Sequence, residues 1–204
     1  MNSRIFSGMP PHGRGQRIGL LGGSFNPAHA GHRRVGLEAL RRLRLDQLWW
    51  LVTPGNPLKD IRALAPLDKR MRDAAMLAAH PRIAITAIEQ ELRTRYTADL
   101  IGDLRRKAPA TRFVWIMGSD NLAQLHRWER WREIAAAMPI AIVNRPGTLA
   151  AALASPAAQA LSRYRLDEAD ANTLADHGPR AWLFLNGPRS AASSTAIRRN
   201  SGTS

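Results

Sequence analysis

One segment limits what this chain can fold into more than any other. The short apolar run at residues 17–22, RIGLLG, breaks at Gly22-Gly23 and passes through Ser24, Phe25, Asn26, Pro27 and Ala28 to His29-Ala30-Gly31-His32. A buried strand feeding a tight turn and then a helix reads this way. Paired glycines let the backbone approach a phosphate, and a helix starting near Ala30 aims its positive end and free N–H groups at the same place. His29 and His32, three apart at that entry, can face one side and donate hydrogen bonds to one phosphate group. Two histidines so spaced are by themselves ordinary surface residues, and a metal pair would want a third ligand that is not evident nearby. The whole pattern weighs more: six positions (Gly23, Phe25, Pro27, His29, Gly31, His32), at about 5% usage each, coincide with a chance on the order of 10⁻⁸ per window. The glycine fingerprint of dinucleotide-binding enzymes and the P-loop are both absent after the strand, which removes the best markers of hydride transfer and of Walker-type hydrolysis.

The rest of the chain alternates. Val35, Ala39, Leu40 and Leu43 recur at helical spacing and predict a helix over 31–45. Residues 47–53 are rich in β-formers and stop at Pro54, whereas 67–79 are rich in Ala, Leu and Met and read as a helix. Strands are then expected at 82–86, 112–117, 140–143 and 182–185, with helices at 97–107, 131–137 and 195–199. The expected fold class is α/β: a three-layer, Rossmann-like, doubly wound parallel sheet, with ligands at the carboxyl ends of its strands. A single domain over 17–204 follows a flexible N-terminal extension, 1–16. For the Ala-rich stretch 148–160, helix and loop both stay open.

Composition narrows the function classes. With no cysteine in 204 residues, disulfides, thiolate metal sites and cysteine nucleophiles are excluded. The first sixteen residues lack the apolar run of a signal peptide, and no stretch reaches the roughly 18 apolar residues of a membrane span, so a cytoplasmic protein without a membrane partner is expected. A formal charge of +14 invites a nucleic-acid reading, but 27 of the 30 basic residues are arginine and they are scattered. An RNA-binding module predicts clustered cations interleaved with aromatics, which the sequence lacks, so no nucleic-acid partner is expected. A homo-oligomer is left open.

The segment resembles the GxFxPxHxGH motif of the HxGH nucleotidylyltransferase superfamily, and within it the chain is most similar to the bacterial nicotinate-nucleotide adenylyltransferases. Later landmarks occur in family order from Arg17 onward: Pro54-Gly55-Asn56-Pro57-Leu58-Lys59, Tyr96-Thr97, Gly118-Ser119-Asp120-Asn121-Leu122 with Trp128, Asn144-Arg145-Pro146-Gly147, and Ser193-Ser194-Thr195-Ala196-Ile197-Arg198. Many relatives have Asp in place of Asn26, and a second Pro then His where this chain has Leu58 and none; the lost charge leaves Asn26 a turn or capping residue.

The resemblance implies adenylyl transfer from ATP to nicotinate mononucleotide, giving deamido-NAD and pyrophosphate in NAD biosynthesis, with Mg2+ bound mainly through the ATP phosphates and not by a protein metal site. It implies that His29, His32, Lys59 and Arg198 neutralise phosphate charge. ATP would lie against Gly22, Gly23, Ser24, Phe25 and Asp120, with Ser193, Ser194 and Thr195 as a second phosphate cradle. Asp120 reads equally as a helix N-cap. Trp128 would stack on the pyridine ring, Thr97 with nearby N–H groups would receive its carboxylate, and Arg145 would bind phosphate. Nicotinamide mononucleotide is the nearest alternative acceptor; the serine-threonine cradle and Trp128 argue against phosphopantetheine and against cytidylyl transfer to an alcohol phosphate.

Overall fold

The computed structural model describes residues 3–55, 64–94 and 96–186; the helix expected at 195–199 lies outside them. Among the described residues the apolar runs become seven strands: β1 (Arg4–Phe6), β2 (Arg17–Gly23), β3 (Gln47–Val52), β4 (Ile83–Thr86), β5 (Arg112–Gly118), β6 (Ile140–Val143) and β7 (Trp182–Leu185). They pair in parallel in the order β1-β4-β3-β2-β5-β6-β7. The α-helices are α1 (Ala30–Arg42), α2 (Leu67–Ala78), α3 (Ile88–Glu91), α4 (Thr97–Lys107), α5 (Ser119–Leu122), α6 (Trp131–Ala137), α7 (Leu149–Leu153) and α8 (Pro156–Ala160). The stretch left open in the sequence is thus helical, with Ser155 capping α8 and proline at its start.

Both faces of the sheet are covered, which is why its strands are nearly unbroken apolar runs. Successive residues go to opposite sides: Trp49, Leu51, Phe113, Trp115, Ile140 and Trp182 enter one core, while Leu48, Trp50, Val114, Ile116, Ala141 and Leu183 enter the other. Helix α1 lays Val35, Gly36, Ala39 and Leu40 on the second core. It comes close to β3, since a Cβ on Gly36 would stand 2.9 Å from Leu48 Cδ2.

From β2 the chain winds through α1 to β3 and on toward β4; from β5 it winds the other way to β6 and β7. The reversal falls between the adjacent strands β2 and β5, whose outgoing loops therefore diverge and open a crevice at the carboxyl edge. At the opposite edge Asp176 accepts hydrogen bonds from Arg17 and Arg112, both at 2.5 Å, and holds the first residues of β2 and β5 together.

The N-terminal segment departs from the expected flexible extension. Arg4–Phe6 pairs with β4, the Ser3 hydroxyl donates to the His80 carbonyl, and Phe6 O accepts from Ala87 N–H. Three paired residues are enough when the neighbouring strand supplies every partner, but they are too few to show a period in a stretch rich in Gly and Pro.

Candidate active site

The loop that leaves β2 is built on a stack of rings. Phe25 takes φ +45°, which a bulky side chain rarely adopts, and is fully buried. Its ring stacks on Trp50 with centroids 5.0 Å apart and 12° between planes, and the His32 ring lies 4.7 Å above it. The packing holds a backbone conformation that costs on the order of 1–3 kcal/mol. Phe25 can therefore offer a ligand its backbone only, and its side chain is a floor for His32. The Asn26–Pro27 peptide is cis. Asn26 is buried, and its side-chain oxygen accepts from Ala65 N–H at 3.1 Å, which ties this loop to the approach of α2.

The histidines cap the helix they introduce. His29 is the N-cap of α1; its Nδ1 accepts from Gly31 N–H at 3.1 Å, and His32 Nδ1 accepts from His29 N–H at 3.2 Å. This is a capping box made of two imidazoles, in place of the usual hydroxyl and carboxylate. A ring nitrogen that accepts from an amide carries no proton, so each neutral ring bears its hydrogen on Nε2 and donates from there. Burial, followed by the nearby Arg145 cation, lowers the His29 pKa to about 4, so this ring is neutral at pH 7. Of the N–H groups at the helix start, that of Gly31 is taken up by the cap.

Across the crevice, Gly118 ends β5 and is itself the N-cap of α5; Asp120 does not cap that helix with its side chain. Asp120 Oδ2 instead accepts from Arg145 Nη1 at 3.3 Å. The buried Ser119 hydroxyl accepts from Arg145 N–H at 2.8 Å and meets the Thr148 hydroxyl at 2.5 Å, pinning the turn that carries Arg145. A Cβ on Gly118 would fall 2.3 Å from Asp120 Oδ1 and 2.8 Å from Arg145 Nε, so a side chain here would displace that pair.

Thr97 and Trp128 lie on α4 and on the turn that leads to α6, which packs against α4. Thr97 is the first residue of α4, after the exposed Tyr96. Trp128 ends the 3-10 turn Leu125–Arg127, half-buried against the first core, while Trp131 is the buried anchor of α6. An ion pair between Asp99 and Arg130 joins the start of α4 to the turn of Trp128. Lys59, Ser193, Ser194, Thr195 and Arg198 lie outside the described residues.

One residue of the site has almost no sequence signature. Arg70, in α2, is 2% exposed, and its guanidinium donates to the carbonyls of Ala65 (2.8 Å), Ser24 (2.7 Å), Thr53 (2.8 Å) and Pro54 (3.5 Å). Its place on the buried stripe with Met71, Ala74, Ala75 and Ala78 is the one sign of it in the sequence.

Residues 20–200 match the family model described as Cytidylyltransferase-like. The chain is 57% identical over 187 residues to a protein of Bradyrhizobium sp. (strain ORS 278) named "Probable nicotinate-nucleotide adenylyltransferase", covering 92% of this chain and 97% of that protein. A protein of Methylorubrum extorquens with the same name is 59% identical over 182 residues, or 89% of this chain and 98% of its own length. Among solved structures, nicotinic acid mononucleotide adenylyltransferase of Plasmodium falciparum complexed with APC matches with a TM-score of 0.64 at 16% identity, over 90% of this chain and 83% of that one. At that identity the likeness is one of fold.

Proposed function

The chain belongs to the cytidylyltransferase-like family, and from that premise we infer that it is a nicotinate-nucleotide adenylyltransferase, the activity for which its relatives at 57% and 59% identity are named. It joins ATP and nicotinate mononucleotide to give deamido-NAD and pyrophosphate, a step of NAD biosynthesis. The structural observation that supports this reading is the histidine pair, whose Nδ1 atoms are engaged by backbone N–H groups, which sets the proton of each neutral ring on Nε2, the form that donates to a phosphate.

The mononucleotide phosphate oxygen, ionised at pH 7, attacks the α-phosphorus of ATP in line; a new P–O bond forms as the bond to pyrophosphate breaks. No general base is required. Two anions must meet, so catalysis is positioning and charge neutralisation. We assign phosphate contacts to His29, His32, Lys59, Arg198 and the cradle of Ser193, Ser194 and Thr195. Gly22, Gly23, Ser24 and the Phe25 backbone line the ATP side, with Asp120 beside the ribose. The pyridine goes to Trp128, its carboxylate to Thr97, and the mononucleotide phosphate to Arg145. The neutral state of His29 suits a donor that stays put while charge moves past it.

Mg2+ enters this proposal as part of the ATP substrate. Asp120 has one oxygen on Arg145 and the other buried beside Gly118, and no cluster of three metal-binding side chains occurs among the described residues. No helix among those residues is long and apolar enough to cross a membrane. A cytoplasmic setting is part of the proposal and is supported by the cysteine-free sequence.

Pyrophosphate release, measured with ATP and each of nicotinate mononucleotide, nicotinamide mononucleotide, phosphopantetheine and an alcohol phosphate, tests the assignment. Nicotinate mononucleotide is expected to be turned over fastest; release with another acceptor and none with this one would reassign the enzyme.

A further inference from the structure

Resting on the reading of the β2 loop as the ATP site, we propose that Arg70 is a positioning residue that turns the Phe25 amide outward as a phosphate donor. The peptide between Ser24 and Phe25 is planar, and across a trans peptide the carbonyl and the N–H point in opposite directions. Ser24 O is drawn inward to Arg70 Nη1 at 2.7 Å. The Phe25 N–H must then face away from Arg70, and it donates to no group among the described residues.

The same guanidinium holds the backdrop against which the loop is set. Nη1 also donates to Thr53 O at the end of β3, and Nε donates to Ala65 O, whose own N–H is held by Asn26 of the loop. One rigid fork thus registers three backbone segments, a task that a lysine ammonium on a flexible stem does poorly. No carboxylate pairs with Arg70 among the described residues, and carbonyl dipoles alone surround it. A buried cation so placed leaves its positive field beneath the loop, where an anion benefits from it.

A purely structural arginine would affect the fraction of folded enzyme and little else. The test therefore compares Arg70→Met and Arg70→Lys with Leu174→Ala, a core truncation beside the Asp176 clamp at the opposite edge of the sheet. In 15N-labelled wild-type protein, the Phe25 amide resonance is expected to shift on adding inorganic pyrophosphate with Mg2+. In Arg70→Met that response should be lost, and in Leu174→Ala retained. In turnover, Arg70→Met should raise KM for ATP about tenfold and lower kcat about 100-fold, as a misplaced donor does. KM for the mononucleotide should stay within about twofold, and Arg70→Lys should recover part of both losses. A Phe25 response that survives in Arg70→Met, or kinetic losses matched by Leu174→Ala, would overturn the proposal. If Arg70→Met does not fold, the same readouts in Arg70→Lys decide, an unaltered Phe25 response and ATP KM counting against it. Failure of the wild type to release pyrophosphate with any acceptor would instead overturn the functional reading, and the amide response would still report on Arg70.

Discussion

The His32 ring lies with its centroid 3.8 Å from that of His29, and its Nδ1 holds the His29 backbone N–H. His32 holds the His29 backbone, Gly31 N–H holds the His29 ring, and the two rings lie in contact, so helix start and phosphate donors are one construction. Capping and donation can nevertheless be separated, because asparagine is as good an N-cap as any residue but has no Nε2–H.

His29→Asn is accordingly expected to keep the thermal midpoint near that of the wild type while turnover falls by about 100-fold or more, the usual cost of one lost donor to a developing charge. His29→Ala should lose the same activity and about 1 kcal/mol of stability besides. Denaturation and pyrophosphate release on both variants check this, and an active His29→Asn enzyme would remove the ring from the chemistry.

The buried neutral state of His29 also sets a dependence on pH. Its ring protonates at about 4 in the fold and near 6.5 in the unfolded chain, so between these values the unfolded chain binds more protons. Stability from this group is complete above about 6.5, falls as the pH drops toward about 4, and is level below that. Urea unfolding of the wild type and His29→Asn across that window should show a smaller slope for the variant; equal slopes would place the titration elsewhere.

Much of this was legible in advance. The strands at 140–143 and 182–185 and the helices at 97–107 and 131–137 occur where the sequence predicts them, because runs buried on both faces and amphipathic stripes are local signals. The edge strand β1 was not legible, since three residues carry no period. Nor was the tautomer of the histidines: that follows from a capping geometry ordinarily built from other residue types. Arg70 and Ser119 stayed hidden because an arginine on a helix and a serine at a turn mean solvent unless tertiary contacts enclose them, and here these contacts come from residues up to 46 positions away.

Two glycines replaced by alanine should behave oppositely. At Gly118 the new methyl group would drive apart Asp120 and Arg145, and turnover should fall steeply. Gly102, inside α4, has nothing nearer to a built Cβ than Arg106 Nη1 at 3.9 Å, so alanine there should add about 0.5–1 kcal/mol of stability with activity unchanged. Thermal melts and initial rates distinguish the two, and an active Gly118→Ala would show that the Asp120–Arg145 contact is dispensable.

Trp128→Ala should raise KM for the mononucleotide by about tenfold and KM for ATP by less than about twofold, in line with the loss of one stacked ring. Trp128→Phe should fall between. Initial-rate kinetics with each substrate varied in turn measure both constants, and equal rises in the two would count against pyridine stacking.

The reversal of winding between β2 and β5 has a consequence during synthesis. His29 is made early and Arg145 more than a hundred residues later, yet they face one crevice. A nascent chain halted before β6 has the first loop without the cation that faces it. Such a fragment carries a recognisable signature and no working enzyme, so a ribosome must deliver both halves before either is of use.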